Sequence, residues 1–102
     1  MYSKGRSVVT PYMVVYCRKN SLPVDRTGYT VSAKLGNAVT RNRIRRRLRE
    51  IYRIGSGSLK TGYDILIVAR SKSVDADFGK LQNVFSDCCE KLGILARSGE
   101  TI

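Results

Sequence analysis

The stretch "GNAVTRNRIRRRLRE", Gly36 to Glu50, places six arginines between Arg41 and Arg49. Like charges four residues apart repel along a helix, so such a run implies a partner that neutralises it. A solvated charged face, the commoner reading of a charge run, usually alternates sign, and Glu50 is the only acid here. Arginine rather than lysine favours bidentate contacts to phosphate. Gly36 and Asn37, just ahead of the run, would leave backbone N–H groups facing outward at a helix N-terminus, a second way of holding phosphate.

The rest of the charge agrees. Residues 1–54 carry 13 basic and 2 acidic side chains, whereas residues 55–102 carry 6 of each, so the whole formal excess of +11 sits in the first half. One polyanion-binding surface is expected, rather than charge spread for solubility. Hydrolytic chemistry has little to work with. Histidine is absent, which removes His-based triads and His-ligated zinc. Asp64, Asp75, Asp77 and Asp87 are scattered, with no obvious carboxylate pair for metal-assisted hydrolysis. No catalytic residue and no metal site is expected in this chain.

Cys17, Cys88 and Cys89 are odd in number and form no C-x-x-C, so reduced thiols in a cytoplasmic protein are expected rather than a disulfide framework. No apolar run reaches the roughly 18 residues of a transmembrane helix, and "MYSKGRSVV" lacks the apolar core of a secretory signal. No membrane contact is expected, and no protein partner is evident.

The elements that position the arginines follow from periodicity. The 102 residues suffice for one modest core, so a single domain over residues 1–102, carrying the polyanion-binding surface, is expected. "YMVVYCR", Tyr12 to Arg18, is β-branched and aromatic and reads as a strand. "YTVSA", Tyr29 to Ala33, reads as a second strand, antiparallel to the first through the loop "KNSLPVDRTG". "GSGSLKTG" is a loop, and "YDILIVAR" holds an unbroken apolar run that predicts a strand covered on both faces. From about Asp75 to Leu92, Phe78, Leu81, Phe85, Cys88 and Leu92 form a helical stripe, with Gly93 suited to its C-terminal cap and Asp75 or Asp77 to its start. The class is α+β, a small mixed sheet in β-β-α-β-α order.

Within the basic helix, Asn37 is the expected N-cap. Ile44, Leu48 and Ile51 form its buried stripe, with Tyr52 beside it. Arg41, Arg45 and Arg49 line one flank and Arg43 and Arg47 the other, while Arg46 and Arg53 point away from the core.

The segment "KLGNAVTRNRIRRRLRE" resembles the signature of the bacterial ribonuclease P protein subunit, whose RNR motif matches Arg41, Asn42 and Arg43. "GRSV", "YTVSAKLGNAV", "GYDILIVAR" and the amphipathic last helix follow in the family's order. The resemblance implies a fold similar to the second domain of ribosomal protein S5, with a left-handed β-α-β crossover, against the usual right-handed preference. It implies partnership with a catalytic RNA, ribonuclease P RNA, that removes the 5′ leader from precursor tRNA using Mg²⁺ bound chiefly by the RNA. It implies RNA contacts through Lys34, Gly36, Asn37, Arg41, Asn42, Arg43, Arg45, Arg46 and Arg49. It also implies a leader cleft on the sheet involving Val14, Tyr16 and Ser32. Tyr16 serves equally well as sheet packing, and Tyr12 reads as packing. Family members begin with a helix that walls this cleft. Only "MYSK" precedes Gly5, so that helix is expected to be missing or drastically shortened, either because the chain is a piece of a longer one or because this version leaves the face open. A structural RNA-binding module, a free-standing nuclease and a duplex-DNA reader are the alternatives that charge alone leaves open.

Overall fold

The structure, a computed structural model, describes residues 5–20, 26–55 and 62–94. The expectation about the residues before Gly5, and part of each of the two long loops, lie outside the described residues. The elements are strands β1 (Arg6–Val9), β2 (Met13–Lys19) and β3 (Arg26–Thr30), helix α1 (Ala38–Gly55), strand β4 (Tyr63–Ala69) and helix α2 (Phe78–Leu92). Single 3₁₀ turns over Ala33–Leu35 and Ser71–Ser73 precede the two helices.

The strands form one mixed sheet in the order β1-β2-β4-β3. β1 and β2 make a tight hairpin. Thr10 closes it, its hydroxyl donating to the Met13 carbonyl at 2.7 Å and accepting from the Met13 N–H at 3.0 Å. β4 lies antiparallel to β2, with Met13 opposite Ala69 and Tyr16 opposite Leu66. β3 runs parallel to β4, with Gly28 opposite Leu66, so α1 is the connection of a β-α-β unit between neighbouring strands.

Three expectations are corrected here. The "YTVSA" alternation predicts a strand paired antiparallel to the first; β3 instead ends at Thr30 and, among the described residues, pairs only with β4, in parallel. Val31 is buried as the chain leaves the sheet, and Ser32 starts the turn toward α1. The β1 strand is additional, which makes the order β-β-β-α-β-α; its four residues, with only two of them apolar, give no periodic signal. Finally, β4 is covered on one face, since Ile65, Ile67 and Ala69 are buried while Leu66 is exposed.

Both helices lie on that covered face. Met13, Val15, Cys17, Ile65 and Ile67 meet Ile44, Leu48 and Ile51 from α1 and Leu81, Phe85, Cys88, Cys89 and Leu92 from α2 in one core. Tyr52 and Phe85 join the helices edge to face, ring centroids 6.5 Å apart. α2 begins at Phe78, with the Asp77 carboxylate accepting from the Lys80 N–H at 2.7 Å, and ends at Gly93 in the left-handed region with φ 75°. Among the described residues no helix is long and apolar enough to cross a membrane. All three cysteines are free and buried.

Candidate nucleic-acid interface

α1 starts as its sequence requires. The Asn37 Oδ1 accepts from the Thr40 N–H at 2.9 Å, and the Arg41 Nε donates to the Gly36 carbonyl at 3.2 Å. Gly36 adopts φ 144°, and a Cβ there would come within 3.0 Å of Thr40. Glycine therefore allows the sharp entry into α1. Ser32 starts the preceding turn, its hydroxyl accepting from the Lys34 N–H at 3.2 Å.

The helix survives its own charge for a simple reason. Each like-charged i,i+4 pair costs about 0.2–0.5 kcal/mol, whereas fully burying an Ile or Leu contributes about 1.5–3 kcal/mol. Ile44, Leu48 and Ile51 are all buried, so packing outweighs repulsion and the arginines can be concentrated.

The arginines are not equivalent. Arg45 donates to the Asn42 Oδ1 at 3.1 Å, which leaves the Asn42 amide N–H groups without a partner among the described residues. Arg49 lies over the Tyr29 ring, 6.0 Å from its centroid. Arg47 turns inward and donates to the Ala76 carbonyl at 3.0 Å, tying α1 to the loop before α2. Arg53 pairs at two points with Glu50, whose carboxyl the guanidinium holds below its ordinary range. Arg43 and Arg46 are exposed, and neither has an internal partner among the described residues. Lys34, Gly36, Asn37, Arg41, Asn42, Arg43, Arg45, Arg46 and Arg49 thus lie along α1 and the turn leading into it.

The opposite face of the sheet carries no helix among the described residues. Pairing places Ser7, Tyr16, Leu66 and Gly28 in one row across all the strands on this face. They border an open groove of about 680 Å³ whose rim includes Arg18, Arg26 and Asp64. Tyr16 is 45% exposed and Leu66 39%, while Gly28 lets the Leu66 side chain lie flat, since a Cβ there would sit 3.3 Å from its Cδ1. Val14 shares the face of Tyr16 but is buried. Ser32 lies beyond the end of β3 and does not line the groove.

The hub at the groove's end is not foreseen in the sequence reading. Arg26 binds Asp64 through Nε and Nη2, the Asn20 amide donates to Asp64 at 2.9 Å, and Arg18 approaches at 3.3 Å. Arg26 and Asn20 above all hold the Asp64 carboxyl far below the ordinary range. The only available signal was an acid inside a strand flanked by basic strands, and the parallel β3 partner is not visible in it. The described carboxylates do not fit a Mg²⁺ site. Asp64 and Glu50 are engaged by cations, and no three acidic or cysteine side chains gather among the described residues.

An arginine helix and a groove of ring, aliphatic floor and guanidinium rim suit RNA: phosphates on the cations, single-stranded bases against the ring. Comparison with known proteins agrees. The family model described as Ribonuclease P matches residues 1–93. The ribonuclease P protein component of Thermoanaerobacter sp. (strain X514) is 48% identical over 83 residues, covering 81% of this chain and 72% of the relative. That of Clostridioides difficile (strain 630) is 38% identical over 95 residues, covering 92% and 83%. The Staphylococcus aureus RNase P protein superposes with a TM-score of 0.81 at 34% identity, covering 92% of this chain and 86% of that one. The Thermotoga maritima protein gives 0.79 at 31% identity, covering 88% and 86%. The arginine-lined α1, the mixed sheet and these matches together make the chain a member of the ribonuclease P protein family, the protein component of a ribonucleoprotein endoribonuclease that works with ribonuclease P RNA in tRNA 5′ processing.

Proposed function

We propose that the chain works as a single RNA-binding unit with a division of labour between its two faces. α1 and its leading turn grip the catalytic RNA through Lys34, Arg41, Asn42, Arg43, Arg45, Arg46 and Arg49, with the Asn37 N–H as a further phosphate contact, since the Gly36 N–H donates to the Ala33 carbonyl. The open sheet face holds the 5′ leader of precursor tRNA against Tyr16. Of the other two leader residues expected from the sequence, Val14 stands next to Tyr16 along β2 on the same face, and Ser32 acts by shaping the turn into α1. The RNA carries out the Mg²⁺-dependent hydrolysis. Buried free thiols suit work in the cytoplasm.

The observation that carries this reading is the groove itself. An exposed tyrosine and leucine lie beside the cross-strand row of Arg18, Asp64 and Arg26, on a sheet face that has no helix over it among the described residues. A purely structural RNA-binding module has no need of such a single-strand site. The test is cleavage of precursor tRNA by the cognate catalytic RNA at low Mg²⁺, with and without this chain. Stimulation, with no cleavage by RNA-free protein, is the expected result; equal rates with and without the chain would refute the reading.

A further inference from the structure

Arg43, Arg46, Arg47 and Glu50 are spaced i, i+3, i+4 and i+7, so they share one face of α1. That face meets the first residue of α2, and between them lies a recess of about 340 Å³ lined by these four side chains and Phe78. Its size falls within the roughly 300–1,000 Å³ of small-ligand sites. Arg47 is fixed there by the Ala76 carbonyl, and the Glu50 charge is offset by Arg53. Arg43 and Arg46 remain as two guanidiniums with no internal partner among the described residues. Phe78 packs against the core yet stays partly exposed in the recess.

Phosphate alone would need only the arginines. An aromatic ring beside two unengaged guanidiniums provides for a base as well, stacked on the ring while its phosphate sits on the cations. A paired base, stacked on both sides within a duplex, offers no free face to the ring.

We propose that the α1–α2 seam binds one unpaired nucleotide of the partner RNA, its base against Phe78 and its phosphate on Arg43 and Arg46. This rests on the reading of α1 as the RNA-binding helix and adds a defined ligand, a flipped or bulged residue, on the side of the fold away from the sheet groove. Phe78, which its place in an apolar stripe makes a core residue, then works in both roles.

The test measures affinity of the full chain for the catalytic RNA across a salt series, with circular dichroism and thermal midpoints recorded for each variant. Phe78→Leu keeps apolar volume and removes the ring, and should weaken binding about tenfold; Phe78→Tyr should restore it. The double variant Arg43→Gln, Arg46→Gln should weaken binding and lower the salt slope by about two. Should Phe78→Leu fail to fold, dimethyl sulfate probing of the RNA replaces it. One unpaired base protected by the unaltered chain and exposed with the double arginine variant supports the site, and unchanged protection overturns it. Phe78→Leu binding like the unaltered chain while the arginine variant is weak reduces the seam to a charge contact and overturns the proposal. If both bind normally while Arg45→Glu with Arg49→Glu abolishes binding, the seam site falls and the RNA reading of α1 stands. If that variant is silent too, the reading of α1 falls and takes the proposal with it.

Discussion

Arg26 and Asp64 are direct partners across the β3–β4 ladder, and the guanidinium grips the carboxylate through Nε and Nη2, each at 2.8 Å. This pair joins the edge strand to the centre of the sheet, and with Arg18 it spans β2, β4 and β3. The Asp64 carboxyl titrates far below its ordinary value. The depressed pKa means that its contribution is fully present above the unfolded carboxylate value of about 3.9 and fades as pH falls below it. Asp64→Asn should therefore melt at a lower temperature than the unaltered chain at pH 7, and the gap should narrow as pH is taken below about 4. Thermal unfolding at both pH values checks this; a gap that stays constant with pH would remove the ionic account.

Reversing Arg45 and Arg49 to Glu should weaken binding to the catalytic RNA by about two orders of magnitude at low salt. Far-UV circular dichroism should change little, because neither side chain belongs to the buried stripe of Ile44, Leu48 and Ile51. Filter binding across a salt series provides the measurement. An affinity that barely moves would make α1 a solvated face.

Tyr16→Ala should leave the melting temperature nearly unchanged, since the side chain is 45% exposed and takes no part in the core. The reconstituted ribonucleoprotein should lose roughly tenfold in its preference for precursor over mature tRNA. The readout is the ratio of the two affinities, and an unchanged ratio would take Tyr16 out of the leader site.

Burial, with the neighbouring thiols adding to it, pushes the Cys89 thiol up to about 12. At pH 8 it stays protonated, and thiolate is the reactive form. Iodoacetamide should modify Cys89 in the native protein far more slowly than in urea. Equal rates, followed by mass spectrometry, would show that α2 opens freely.

α1 was the most legible part of the chain. Ile44, Leu48 and Ile51 recur at helical spacing, and Asn37 and Gly36 announce its start, because capping and periodicity are local. α2 was nearly as clear, from Leu81 to Gly93, although its start lies at Phe78 rather than near Asp75. β3 was misread because strand pairing is a long-range choice: Thr27 to Thr30 pair with Ile65 to Val68, far along the chain. The arginine surface could be read from composition. The division among Arg43 and Arg46, without internal partners among the described residues, Arg47, tied inward, and Arg53, paired with Glu50, could not, since it depends on what α2 and Glu50 bring near.

The strand order also governs how the chain can be assembled during synthesis. β4 sits between β2 and β3 yet is made after both. Until residue 69 has left the ribosome, β2 has only its short hairpin partner β1, and β3 has no partner in the sheet at all. Translation supplies residues at about 5–20 per second, so two unsatisfied edges wait for seconds while the arginine helix is already complete. Any fragment ending before Tyr63 keeps those edges and cannot close the sheet.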